Sequence, residues 1–313
     1  MKKKTLFTLL TPLIIASMTG CNVEDKYELY VSTDNMRFNP QIKGEAFDPT
    51  GLEVKEVTKN GKKEREIQYT IDAPSVIDGD EWSATITAEG YEPVTINGQT
   101  RDKIKVACVG DSLTYGHVWQ SEAYPVFLQQ NLGNKFNVGN FGENGVSITG
   151  FGGSYDNAND RYIKRQVYKD SVKFNPDVIV MCLGTNDGTH WDKAAATYEE
   201  YYHVLVDAYL EQFPNSQWVF MVSPPCEDGN AYDINNEAMK EHINPVQRAI
   251  AEEYGFELID LRNEFEAMEG GYASMLRPTW NGRKDMVHYS KAGAQYVAGR
   301  VNEVIDTFSF RNN

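Results

Sequence analysis

Cysteine is scarce in this chain, with 4 residues in 313, and one of them, Cys21, closes the N-terminal apolar segment. The remaining Cys108, Cys182 and Cys226 are an odd set, which excludes a fold held together by a disulfide framework. Cys108 and Cys182 fall inside apolar runs and read as small buried hydrophobes, while Cys226 follows Pro224-Pro225 with no basic partner to activate it. Positive charge is also in deficit: 30 Lys and Arg against 45 Asp and Glu leave a formal net charge of -15. That balance excludes a nucleic-acid surface and a polybasic membrane patch. The 5 histidines form no cluster with metal-ligand spacing, and no Gly-Lys-Ser/Thr loop is there to cradle a phosphate, so no metal and no cofactor is implied. Long hydrophobic runs are missing too. The apolar stretch from Leu6 to Ala16, prefaced by Lys2, Lys3 and Lys4, is too short for the ~30 Å hydrocarbon core of a bilayer and reads as an export signal.

What is present is enough apolar material, 41% hydrophobic and 12% aromatic, for a sizeable core. The chain divides into three parts. In the first, residues 1–21, the phrase Met18-Thr19-Gly20-Cys21 resembles a bacterial lipobox. The resemblance implies cleavage before Cys21, a lipid on its sulfur and anchoring of an exported protein to the cell envelope. Met18 departs from the usual leucine, which leaves ordinary secretion as the alternative. In the second, residues 25–100, short runs of strand character (Leu52 to Val57, Ile67 to Ile71, Ser83 to Thr87) are punctuated by the turn dipeptides Asn60-Gly61, Asp78-Gly79 and Asn97-Gly98. This predicts a small all-β sandwich. The stretch Lys43 to Val54 resembles the phrasing of bacterial immunoglobulin-like modules, with a jelly-roll-like module as the alternative.

The third part, residues 103–313, follows another grammar. Apolar runs Ile104 to Val109, Phe136 to Phe141, Val178 to Leu183, Trp218 to Val222 and Phe256 to Leu261 alternate with amphipathic stretches. Those stretches are Tyr124 to Leu132, Tyr162 to Lys173, Ala194 to Phe213, Asn236 to Tyr254 and Lys291 to Ile305. Alternation of this kind predicts an α/β fold, a three-layer flavodoxin-like sandwich around a five-stranded parallel sheet. Ligands of such sheets bind beyond the carboxyl ends of the strands.

Three strands run into notable loops: Gly110-Asp111-Ser112-Leu113, Asn140-Phe141-Gly142-Glu143-Asn144-Gly145 and Gly184-Thr185-Asn186-Asp187. A fourth phrase, Asp285-Met286-Val287-His288, stands just before the last helix. In this order and at these positions the four phrases resemble the sequence blocks of the SGNH (GDSL-like) hydrolase superfamily, over roughly residues 105–304. The resemblance implies a serine esterase with Ser112 as nucleophile, His288 as base and Asp285 holding the imidazole. It further implies an oxyanion hole made by the backbone N–H groups of Ser112 and Gly145 and the side-chain amide of Asn186, with Gly142 as the alternative glycine. The chemistry needs these residue types, since a serine hydroxyl attacks only if a base takes its proton and fixed donors receive the developing negative charge. Asp111 reads as a helix cap and Asp187 as a brace for the Asn186 loop.

For the substrate, export and an accessory β-module fit an acylated carbohydrate, with acetyl as the acyl group. Trp119, His190, Trp191, Trp280 and Tyr289 stand in the loops around the four phrases as candidate sugar contacts. His117 lies in the loop after the first strand, where it can line the cleft, and His203 and His242 read as helix-surface or packing residues. Two other readings remain open at this stage: a lipase, phospholipase or broad carboxylesterase, and a non-catalytic glycan-binding lipoprotein.

Overall fold

The computed structural model describes residues 14–17, 27–59, 61–117 and 119–311. Cys21 and the rest of the Met18-Thr19-Gly20-Cys21 phrase lie outside the described residues. Two compact units divide the chain. One runs to Lys103 and is rejoined by Ser309 onward; the other is Ile104–Phe308.

The first unit is built from strands. Ile14–Ser17, Tyr27–Ser32, Glu53–Thr58 and Glu64–Glu66 form one antiparallel sheet. Tyr69–Asp72, Glu81–Ala88 and Val94–Arg101 form a second, which Gln41–Ile42 joins in parallel. Every second residue of Glu53–Thr58 and of Glu81–Ala88 is buried, as a half-buried strand requires. Leu29, Val31 and Val54 from the first sheet share one core with Trp82, Ala84, Ile86, Val94 and Ile96 from the second, so the two close face to face as a small sandwich. Phe310–Arg311 pairs with Phe38–Asn39 within this unit, and the Phe38 and Phe310 rings stack at 5.6 Å.

One turn expected from sequence is a strand instead. Asn97 and Gly98 lie in the middle of Val94–Arg101. The glycine answers a packing demand: a Cβ on Gly98 would come within 2.8 Å of the indole of Trp82, its partner across the ladder.

The second unit is the expected three-layer α/β sandwich. Its five strands are Ile104–Gly110, Phe136–Gly142, Val178–Cys182, Gln217–Val222 and Glu257–Asp260, all paired in parallel. Numbered along the chain, they lie in the order second, first, third, fourth, fifth. That is the flavodoxin-like order, and its crevice opens at the carboxyl end of the first strand. Alternate residues Ala107, Val109, Ile179, Met181, Trp218 and Phe220 share a core with Tyr198, Tyr202, Leu205 and Tyr209 of one helix and Ile250 and Ala251 of another. Cys108, Cys182 and Cys226 are free and buried, and burial pushes the Cys108 and Cys226 thiols up to about 12, which leaves them protonated and inert.

The helix predicted from Asn236 to Tyr254 is interrupted. An α-turn Asn236–Ala238 passes into a π-segment Met239–Ile243 before Asn244–Tyr254 resumes. Pro245 is the cause: it has no N–H to give, and its ring crowds the carbonyl four residues back. Asn244 and Gln247 are both fully buried there. Gln247 donates to the Leu183 carbonyl at 2.8 Å and to Ser223 Oγ at 2.9 Å, and the Tyr202 hydroxyl donates to the same Leu183 carbonyl at 2.9 Å. These bonds pin the residue that leads into Gly184-Thr185-Asn186-Asp187.

Candidate active site

Parallel register brings three strand ends level, since Gly110 pairs with Gly142 on one side and Cys182 on the other. Three loops therefore leave the sheet side by side. In the first, Asp111 caps the short helix Ser112–Tyr115 by accepting the Leu113 N–H at 2.9 Å, as expected. Ser112 is the first helical residue, so its own N–H has no partner within the helix. Its side chain is tucked in, with the residue 8% exposed.

His288 Nε2 lies 2.8 Å from Ser112 Oγ, and His288 Nδ1 lies 3.0 and 3.2 Å from the two oxygens of Asp285. Asp285 also accepts the backbone N–H groups of Val287 at 3.2 Å and His288 at 3.0 Å. Burial works to raise its pKa, but the His288 side chain and these backbone donors outweigh it and hold the carboxyl below its ordinary value. An ionised Asp285 sets the tautomer. Nδ1 carries the proton and donates to the carboxylate, which leaves Nε2 to accept from the serine hydroxyl.

The other two loops are tied together. Asn186 Nδ2 donates to the Val146 carbonyl at 2.8 Å, which uses one of its two hydrogens and leaves the other for a further acceptor. Gly145, one residue before, has φ +73 and would drive a Cβ to 2.2 Å from Ser154 Oγ, so no other residue fits. Gly142 instead packs against the Asp111 carbonyl and the Tyr115 N–H. Asp187 braces more than its own loop: it accepts the N–H groups of Ile148 at 2.9 Å and Thr149 at 3.0 Å, and the Thr149 hydroxyl at 2.7 Å.

Burial pushes Asp111 up to about 7 against an ordinary 3.8, despite the bond from the Leu113 N–H. The folded chain therefore holds a proton that the unfolded chain has shed between about pH 4 and 7, and stability falls as pH rises through that window. Asp111→Asn keeps the cap acceptor and places an amide beside the unpartnered Thr185 hydroxyl. The expected result is a melting temperature raised by roughly 3 °C at pH 8 and little changed at pH 4. A loss of stability at pH 8 would contradict a buried charge there.

Residues outside the four phrases complete the site. His117 stacks flat on His288, with ring centroids 4.0 Å apart and an interplanar angle of 8°. Burial, and then the neighbouring His288, push His117 down to about 4, so it stays neutral at pH 7. Tyr232 meets the His288 ring edge-on at 4.7 Å, and its hydroxyl lies 3.2 Å from His117 Nε2 and 3.4 Å from Asp285 Oδ2. Arg277 Nη1 lies 3.6 Å from Asp285 Oδ2. His117 was legible only as a residue of the serine loop. Tyr232 and Arg277 come from loops without any motif.

The aromatic candidates separate. Trp280 meets His117 edge-on at 5.7 Å, and Trp119, 48% exposed, meets Trp280 at 6.1 Å, so both stand at the Ser112 cluster. Tyr289 is buried and lines a recess with Ser112 and His288. Trp191 stacks on His242 at 5.3 Å and meets Tyr198 edge-on at 5.6 Å. Among the described ring contacts, none joins His190 or Trp191 to His288. No group of three or more His, Cys, Asp or Glu among the described residues is placed to hold a metal ion.

A hydroxyl, an imidazole and a carboxylate in one hydrogen-bonded line, at the carboxyl edge of a parallel sheet, are the layout of a serine nucleophile served by a base and an orienting acid. The chain belongs to the GDSL-like lipase/acylhydrolase family, whose model matches residues 108–296. It is similar to an acetylxylan esterase of Xylanibacter ruminicola, 26% identical over 224 residues that take in 65% of this chain and 43% of that protein. The chain thus spans less than half the length of that curated relative. It is also similar to the solved lipase/acylhydrolase of Enterococcus faecalis, 17% identical with a TM-score of 0.51, covering 67% of this chain and 99% of that one. At such identity the likeness is one of fold.

Proposed function

We propose that this chain is a serine esterase that removes small acyl groups, acetyl above all, from carbohydrate. The observation that carries the reading is the unbroken line Ser112 Oγ, His288 Nε2, His288 Nδ1, Asp285. In this mechanism His288 Nε2 takes the serine proton as Oγ attacks the ester carbonyl. The oxyanion is received by the N–H groups of Ser112 and Gly145 and by the free hydrogen of the Asn186 amide, each such donor being worth about 3 kcal/mol of barrier. His288 then returns the proton to the departing alcohol, leaving an acyl group on Ser112. Water, deprotonated by the same nitrogen, releases the acid.

Two features favour a short acyl group and a sugar. The recess beside Ser112 and His288 is narrow, and Leu113, Gly116, Ala123, Tyr124 and Ala294 contribute to its walls. A recess so narrow suits a methyl rather than a long chain. Trp119 and Trp280 add flat rings next to the cluster, and the Xylanibacter ruminicola relative is named an acetylxylan esterase. Acetate release from acetylated xylan, pectin and O-acetyl sialic acids, compared with hydrolysis of long-chain esters and phospholipids, tests the reading. Release from at least one glycan with weak long-chain activity is expected. Phospholipid or long-chain turnover without acetate release would overturn it.

A further inference from the structure

Arg277 carries more than the hydrolytic line requires. The residue is 7% exposed, yet its Nε and Nη1 are buried without a hydrogen-bond partner. Native interiors rarely leave such donors empty, because an unpaired buried polar group forfeits its hydration for nothing. The nearest acid, Asp285, stands at 3.6 Å, beyond hydrogen-bond reach, and its oxygens already serve His288 and two backbone N–H groups. The guanidinium is also held in place. Its backbone N–H donates to the His288 carbonyl and its carbonyl accepts from Met286, both at 2.7 Å, and the Trp119 ring lies across its face at 4.3 Å. It lines the same recess as Ser112 and His288. Glu122, the other charged side chain of that recess, is partly exposed and faces Lys291 at 3.5 Å.

We propose that Arg277 is a specificity residue that receives a carboxylate borne by the sugar of the substrate, so that the preferred ester is an O-acetylated acidic sugar. The inference rests on the esterase reading above. An open N–H on each of the two edges by which a guanidinium takes a carboxylate, Nε on one and Nη1 on the other, suits that anion in a way that a hydroxyl or a lipid chain does not. The small apolar walls of the recess take the acetyl methyl, which leaves the charged group to the sugar side, against Arg277 and Trp119.

The test compares an O-acetylated methyl hexuronoside with its neutral primary amide, using acetate release by the full chain. Wild type is expected to favour the acid by about 10- to 100-fold in kcat/KM, mostly through KM, as for hydrogen bonds to a charged group. In Arg277→Gln that ratio is expected to collapse toward one, and in Arg277→Lys to recover in part. Competition needs no variant: free hexuronate should inhibit p-nitrophenyl acetate hydrolysis by wild type far better than the neutral hexose. Equal rates on acid and amide in wild type would overturn the proposal while leaving the esterase reading intact. So would a ratio that Arg277→Gln leaves unchanged, which would make Arg277 a counter-ion of Asp285 only. A preference for a hemisuccinyl over a butyryl ester of a neutral sugar would overturn the placement of the carboxylate on the sugar. No turnover of p-nitrophenyl acetate at all would instead strike the esterase reading itself.

Discussion

Ser112→Ala is expected to lower kcat on p-nitrophenyl acetate by about 10⁵- to 10⁶-fold, with the melting temperature within about 2 °C of wild type. The two halves of this result have separate causes. Activity disappears because the hydroxyl 2.8 Å from His288 Nε2 is the one nucleophile in the line. Stability persists because the loop does not depend on that hydroxyl: Asp111 supplies the cap, and the Ser112 carbonyl, which alanine retains, accepts the N–H groups of Gly116 and His117 at 3.0 Å. What rate remains is expected from the proposed oxyanion donors and from binding, which alanine leaves in place. The same variant separates an enzyme from a glycan binder that retained an enzyme fold, since a binder hydrolyses no faster with serine than with alanine. Equal turnover in wild type and variant would sink the esterase reading.

The parts of this site that lie at strand ends were legible in the sequence, and the parts that depend on how loops fold over one another were not. Ser112, Gly145 and Asn186 each follow an apolar run by a few residues, so the rule that parallel sheets bind at their carboxyl edge placed them without coordinates. Asp285 and His288 are three apart before a helix, close enough for one side chain to reach the other. His117 and Arg277 had no such signal. His117 owes its place to a left-handed backbone, φ 51, that turns its ring back onto His288 from a segment far away in sequence. Arg277 reaches Asp285 because its backbone pairs with Met286 and His288 across the Pro278–Asp285 excursion, a pairing that no local pattern encodes. The same limit explains Asn97-Gly98. A turn dipeptide and a glycine cleared for a cross-strand tryptophan look alike until the partner Trp82 is known.

Asp285→Asn should cost about 10⁴-fold in kcat/KM, the cost of the wrong imidazole tautomer in such a triad. Asparagine must keep an oxygen for the N–H groups of Val287 and His288, both of which bind Oδ1, so its amide nitrogen falls where Oδ2 was. That position is 3.2 Å from His288 Nδ1, 3.4 Å from the Tyr232 hydroxyl and 3.6 Å from Arg277 Nη1. An NH2 group there competes with the retained oxygen, 3.0 Å from Nδ1, and favours the tautomer with its proton on Nε2, where it blocks removal of the Ser112 proton. The neutral amide also no longer stabilises the imidazolium that catalysis forms. Loss of the carboxylate also leaves the Arg277 charge unopposed beside an imidazole that must become positive in the transition state. A thermal titration gives a second reading of the same residue. Since the folded chain holds the Asp285 carboxyl below its ordinary 3.8, its stabilising contribution is complete above that value and is lost as pH falls through the lower folded one. The melting gap between wild type and Asp285→Asn is therefore expected to be widest near neutrality and to close in acid. A variant that retained activity within tenfold of wild type, or a melting gap that did not narrow in acid, would show that Asp285 does not hold His288 as an ionised partner.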